Sequence, residues 1–154
     1  MTYDELLIEA GNESFVVREK PLNGNDGRVY NRWIAIRQDL PSIKEKSCVL
    51  AEEMGHFYMN AGNIIDQNDI SNRKQEYRAR LWGYNKKVGL TGLIEAYEHG
   101  CRSYEEVAEH LDTTEEYLDT VISCYRSKYG IRTAVDNYII YFEPALIIGR
   151  IDGN

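Results

Sequence analysis

The spacing of apolar side chains divides the first part of the chain into one helix and two strands. Thr2 is a capping residue followed by two acidic residues, which predicts a helix that ends near Gly11. Consecutive β-forming apolar residues predict strands over residues 15–17 and 29–36. We expect these strands to form a small N-terminal sheet.

Two longer stretches in the middle of the chain have helical spacing. Ser42 and Glu45 form a capping box after a proline, which predicts a helix that runs to Tyr58. A glycine–asparagine pair at residues 62–63 is expected to break it. A second helix, capped by an asparagine, is predicted over residues 72–87.

The C-terminal half combines helices with a hairpin. Three helices are predicted over residues 93–129, and residues 104–122 carry the apolar pattern of a helix-turn-helix. Residues 131–135 and 138–142 flank an Asp-Asn pair and predict a β-hairpin. The order of elements predicts an α+β fold.

Charge is concentrated in one segment of the chain. The 154 residues include 25 acidic and 18 basic ones, for a net charge of -7. Residues 88–130 hold nine acidic and three basic residues, whereas residues 1–87 hold thirteen of each. This balance disfavours nucleic acid, because the second helix of the helix-turn-helix pattern begins with Glu115 and Glu116, where a recognition helix meets phosphates. A protein partner with a basic face is expected instead.

Cysteine content and hydropathy predict a cytoplasmic protein with no membrane contact. Cys48, Cys101 and Cys124 are an odd number and form no CxxC pair, which favours a reducing compartment. No stretch approaches the ~20 apolar residues of a membrane span. The first residues also lack the pattern of a signal peptide.

The capped central helix carries the candidate chemistry. Glu52 and His56 are four residues apart, so both side chains project from one helix face and can bind one metal ion. Glu53 can then reach a water molecule at the same site as a general base. Gly55 has no Cβ and allows a second backbone to come close. The alternative is a surface charge pair, since Glu-x-x-x-His is common on solvent-exposed helices.

A third metal ligand is required, and the next helix offers Glu76. An antiparallel return of the chain would bring it beside the first pair. Glu76 also lies four residues before Arg80, however, and the two can form an ordinary helix-surface ion pair. Spacing leaves both interpretations open.

The run from Cys48 to His56, together with residues 62–67 and 73–80, resembles the ImmA/IrrE family of metallopeptidases, in its phage and integrative-element branch. Later runs at residues 95–102 and 138–144 resemble this branch too, so the similarity covers nearly the whole chain. The resemblance implies a zincin-like core in which the N-terminal sheet packs on the active-site helix. A helical segment and the C-terminal hairpin would follow.

The implied domain organisation is one compact unit with three parts. Residues 1–88 would form the metallopeptidase-like core, and residues 89–130 the acidic helical segment. Residues 131–154 would form the hairpin and tail.

Carried over by position, the resemblance makes Glu53 the catalytic base and His56 and Glu76 metal ligands. The family's first histidine ligand falls on Glu52, so the helix reads E-E-x-G-H where most members have H-E-x-G-H. A Glu-His-Glu set accepts zinc but also other divalent ions. His99 is a weaker candidate for a substitute ligand.

The leading hypothesis is therefore a metal-dependent endopeptidase of a prophage or mobile element that cleaves a helix-turn-helix repressor. The strand over residues 29–36 would pair with an extended substrate if it forms a sheet edge beside the active helix. The rival hypothesis is a non-catalytic module that binds the repressor without cutting it. A direct DNA-binding regulator is a weaker third.

Overall fold

The computed structural model describes residues 1–59 and 69–152, with side chains from residue 71 onward in the second range. The fold is α+β, as predicted. The helices are α1 (Tyr3–Asn12), α2 (Ile43–Met59), α3 (Asp69–Lys87), α4 (Gly89–Glu98), α5 (Tyr104–His110) and α6 (Glu115–Tyr129). The strands are β1 (Val16–Lys20), β2 (Gly27–Tyr30), β3 (Trp33–Arg37), β4 (Arg132–Val135), β5 (Tyr138–Tyr141) and β6 (Ile147–Arg150). The chain divides into two compact units, Met1–Lys87 and Val88–Asn154.

The N-terminal sheet has the order β1-β3-β2, with β1 parallel and β2 antiparallel to β3. The prediction of one continuous strand over residues 29–36 is wrong. The chain turns between Tyr30 and Trp33, and Asn31 adopts a left-handed conformation with φ of 51°. Asparagine tolerates this conformation, so a tight hairpin replaces the single strand.

Both predicted central helices form, but only one begins where the sequence indicated. Ser42 Oγ accepts the Glu45 N–H at 3.2 Å and caps α2, as predicted. The helix over residues 72–87 is confirmed, but its predicted cap is wrong, because α3 already begins at Asp69 and Asn72 lies inside it. The break expected at residues 62–63 lies outside the described residues.

The core of the first unit lies between the sheet and two helices. One face of the sheet packs against α1 and α2, and its central strand contributes Ile34 and Ile36 at 2% and 0% exposure. From α2, Leu50 and Met54 are buried in the same cluster. Thr2 caps α1 as predicted, accepting the Glu5 N–H. This packing fixes which face of α2 points away from the core.

The second unit contains the three predicted helices and a larger sheet than expected. Ser103 and Thr114 cap α5 and α6 through their side-chain oxygens, so the helix-turn-helix pattern does form two capped helices. The hairpin of β4 and β5 is confirmed, and β6 adds a third antiparallel strand that was not predicted. Its four residues follow Pro144 and include Gly149, which weaken the strand signal.

The described part of the chain contains no helix long and apolar enough to cross a membrane. Cys48, Cys101 and Cys124 are free thiols. Cytoplasmic location stays a prediction.

Candidate metal centre

Two helices bring together three of the four predicted site residues. Glu52 and His56 lie one turn apart on α2, and α3 supplies Glu76 opposite them. His56 Nε2 lies 4.0 Å from Glu52 Oε1 and 3.6 Å from Glu76 Oε1. Across residues 1–59 and 71–152, these side chains are the one set of three whose ligand atoms lie within 4.8 Å of one another.

The close packing of α2 against α3 makes this geometry attainable. An added Cβ at Gly55 would lie 2.2 Å from the Ala79 carbonyl oxygen, which means that the α3 backbone passes directly over this glycine. Gly83 mirrors it on α3, because a Cβ there would meet the Ala51 carbonyl oxygen at 3.2 Å. Each helix therefore contributes an alanine and a glycine four residues apart, and these small residues let the backbones approach.

The donor set fits a divalent metal ion. Bonds of about 2.1 Å to nitrogen and oxygen place neighbouring ligands of a tetrahedral zinc site about 3.4 Å apart. The distances from the His56 nitrogen to both carboxylates need only small adjustments to reach that value. One imidazole and two carboxylates also suit manganese and iron, so the donor set does not select zinc.

Arg80 also reaches this cluster and binds both carboxylates. Its Nε donates to Glu76 Oε1 at 3.1 Å and lies 4.0 Å from Glu52 Oε1. The ion pair expected from the i,i+4 spacing of Glu76 and Arg80 is therefore present. The contact of the same arginine with Glu52 was not predicted from the sequence.

Glu53, one position beyond Glu52, is in an environment that favours the protonated form of its carboxyl group. Burial, followed by the negative charges of Glu52 and Glu76, raises its pKa to about 7. The pKa of Glu52 is also raised, mainly by burial, while His56 and Arg80 act in the opposite direction. A carboxyl group with a pKa near neutral pH has the proton affinity that a general base needs.

The cluster opens into a cleft of about 730 Å³ between α2 and the loop that leads into β2. Glu52, Glu53, His56 and Glu76 all line it, facing residues 24–29. An added Cβ at Gly27 would lie 2.6 Å from Val49 Cγ1 and 2.9 Å from Glu53 Cγ, so both side chains would have to shift to accommodate it. This loop was not predicted to line the site, although Gly24 and Gly27 are residues that allow a close approach of the backbone.

β2 is an edge strand of the sheet, with β3 on one side and, within the described residues, no strand on the other. It borders the cleft through Gly27, Arg28 and Val29. The sequence predicted that a strand over residues 29–36 would supply this edge. In the structure β2 forms the edge, and only its last two residues, Val29 and Tyr30, lie in the predicted range. Backbone hydrogen-bonding groups on such an edge can pair with an extended peptide.

The structure does not place His99 in this cluster. It lies in the second unit at the end of α4, with its ring centroid 4.6 Å from that of His110.

A scan of the sequence against protein-family models gives no match. Searches of the curated proteins and of the solved structures give none either. Membership of the ImmA/IrrE family therefore stays a prediction that rests on the motif residues.

Proposed function

We propose that the first unit is a metal-dependent endopeptidase with a zincin-like core. The observation that carries the proposal is the Glu52, His56 and Glu76 cluster, whose ligand atoms lie within 4.8 Å of one another beside Glu53. Its position in a cleft next to an edge strand adds support, because an extended peptide needs both a backbone partner and access to the reacting groups.

The residues divide into ligands, a base and a substrate guide. Glu52, His56 and Glu76 would hold zinc or another divalent ion. When bound, such an ion supplies a Lewis acid that polarises a peptide carbonyl and makes water more acidic. Glu53 would take a proton from the attacking water and return it to the leaving amine. The edge of β2 would hold the substrate extended beside these groups.

The proposed substrate is a helix-turn-helix repressor encoded on the same prophage or mobile element. This part of the proposal rests on the resemblance to the phage branch of ImmA/IrrE peptidases. The acidic segment of residues 88–130 supports it, because Glu115 and Glu116 are exposed at the start of α6 and complement a basic DNA-binding face.

The test separates metal binding from catalysis. Protein purified without added metal is analysed for bound ions, titrated with zinc and manganese, and incubated with the co-produced repressor. We expect Glu76→Gln to lose the metal, and Glu53→Gln to keep it while losing cleavage. Glu5→Gln, which changes an exposed glutamate of α1, is the matched control and should change neither metal binding nor cleavage. Absence of metal after both titrations would refute the peptidase proposal.

A second candidate function is repressor binding without cleavage. The observation that favours it is Arg80, whose guanidinium already compensates both carboxylates without a metal ion. In this case the E-E-x-G-H sequence would mark a site that has lost catalysis. The wild-type protein would then inactivate the repressor stoichiometrically and leave it uncut.

Glu52→His distinguishes a working ligand from a lost one. If Glu52 is a functional ligand, restoring the histidine typical of the family should reduce cleavage under the protein's preferred ion. If the site has decayed, the same substitution should instead create zinc binding where the wild-type protein has none.

A further inference from the structure

The outer face of the N-terminal sheet combines exposed aromatic rings with unpaired positive charge. Strand register aligns Val16, Trp33 and Tyr30 across the sheet, and directly paired residues project from the same face. Tyr30 is 77% exposed and Trp33 is 60% exposed. Both rings project away from the face that packs on α1 and α2.

Basic residues occupy the next positions on this face. Arg18 and Arg28 lie on either side of Ala35, and Lys20 is paired with Arg37 one step further along the strands. Arg37 is neutralised by ion pairs with Asp26 and Asp39, both at 2.9 Å. Within the described residues no carboxylate forms an ion pair with the other three cations.

The acidic residue of β1 does not offset this charge. Glu19 alternates with Arg18 and Lys20 and projects to the opposite face, where it binds Lys46 and Tyr3. The outer face therefore carries three uncompensated cations next to two aromatic rings. We call these five side chains, Arg18, Lys20, Arg28, Tyr30 and Trp33, the basic aromatic face.

We propose that the basic aromatic face binds single-stranded nucleic acid. Flat rings stack on bases of any sequence, while arginine and lysine neutralise phosphates, and this combination is how proteins bind single strands without reading sequence. Successive rows on the face are about 6.6 Å apart along the strands. A nucleic acid strand running along β3 would stack a base on Tyr30 or Trp33 and bring its next phosphates to the basic rows.

The basic aromatic face lies in the part of the chain in which acidic and basic residues balance. Residues 88–130 carry -6 of the net charge of -7, whereas residues 1–87 have thirteen residues of each sign. The proposal also does not require a bound metal ion, since Glu52 and His56 lie on α2 and Glu76 on α3, and of the five side chains of the basic aromatic face only Arg28 borders the cleft.

The experiment is fluorescence polarisation of a fluorescein-labelled thymidine 12-mer titrated with the full chain in low salt. We expect saturable binding, and on the order of tenfold weaker binding for both Tyr30→Ala and Trp33→Ala. Arg18→Gln and Lys20→Gln should each weaken binding and reduce the slope of log affinity against log salt by about 0.7. Ile8→Ala and Arg78→Gln change exposed side chains on α1 and α3 and serve as matched controls that should bind as wild type.

Three results would overturn the proposal. The first is no saturable binding at protein concentrations up to ~10⁻⁴ M, the weak end of the range for non-specific nucleic-acid binding. The second is unchanged affinity in both aromatic variants, which would reduce the face to general charge attraction. The third is equal competition by a polyglutamate peptide, which would make an acidic polypeptide the occupant. Since Arg18, Lys20, Tyr30 and Trp33 are all exposed, their variants should have the circular dichroism spectrum of the wild-type fold.

Discussion

Replacing Gly55 by alanine tests the contact that holds the candidate metal centre together. The added methyl group would lie 2.2 Å from the Ala79 carbonyl oxygen and 3.1 Å from its carbonyl carbon. The obstacle is helix backbone and cannot rotate away as a side chain would. Relief therefore requires α2 and α3 to move apart by about 1 Å, the gap between 2.2 Å and an ordinary carbon–oxygen contact.

Two opposing effects set the expected change in stability. Alanine improves helix propensity over glycine by about 0.5–1 kcal/mol. Overpacking a well-filled interface by one methyl group costs about 1–3 kcal/mol, and a rigid backbone obstacle belongs at the upper end of that range. We expect a net loss of about 2 kcal/mol in the free energy of unfolding of the first unit.

Denaturant unfolding followed by tryptophan fluorescence measures this change. Both tryptophans of the chain, Trp33 and Trp82, lie in the first unit, so the signal reports that unit. Gly11→Ala is the matched control, because a Cβ there meets nothing within 4 Å in α1. It should gain about 0.5–1 kcal/mol from helix propensity alone.

Metal affinity gives an independent measure of the same displacement. α2 carries Glu52 and His56 and α3 carries Glu76, so separating the helices separates the ligands. Metal sites tolerate about 0.2 Å of error in their bonds, and we expect Gly55→Ala to weaken zinc binding at least about tenfold. An alanine variant with wild-type stability and wild-type zinc affinity would refute the claim that this close contact sets the ligand geometry.

Three further predictions concern charge, burial and capping. Because burial and its acidic neighbours raise the pKa of Glu53 to about 7, the metal-free fold should lose stability as pH rises from about 4.5 to 7. Glu53→Gln should abolish that loss, which is worth at most about 3 kcal/mol before solvent screening. The free energy of unfolding of the wild type and the variant is measured at pH 5 and pH 8 in chelator, and an equal change in both proteins would contradict the prediction. Ser47→Ala removes a fully buried acceptor 2.8 Å from the Lys87 ammonium and should lower the free energy of unfolding by about 1–3 kcal/mol. Denaturant unfolding followed by tryptophan fluorescence measures this loss, and an unchanged unfolding midpoint would show that Lys87 relies on its other partners. Thr114→Ala removes the cap that accepts the Tyr117 N–H and should lower the free energy of unfolding of the second unit by about 1 kcal/mol, measured by circular dichroism. Metal affinity should stay unchanged because the metal ligands lie in the first unit, and a change in metal affinity would contradict this prediction.

Local signals in the sequence predicted most of the elements. Caps at Thr2 and Ser42 placed the starts of α1 and α2, because a side chain that accepts a backbone N–H acts within one turn and needs no distant contact. The same reasoning failed at Asn72, which lies inside α3, because asparagine is also tolerated in a helix interior. The turn at Asn31 was missed because hydrophobic residues continue on both sides of it.

Only part of the candidate metal centre could be predicted from the sequence. Glu52, Glu53 and His56 follow from one helix, because spacing along a helix fixes their common orientation. The choice of Glu76 required an assumption about how the chain returns. Paired alanine and glycine residues on α2 and α3 would have indicated a close crossing of these helices, and that signal was used only at Gly55.

The sequence alone determined the α+β class, the helical face that carries the two α2 ligands and the segregation of acidic charge, since each depends on residues close together in the chain. Only the tertiary structure decided that Glu76 meets His56, that Arg80 bridges both carboxylates and that β2 forms the edge beside the cleft. These contacts join residues on different elements. Their geometry is set by how the elements pack against one another, and residue spacing within a single element does not specify which side chains then meet.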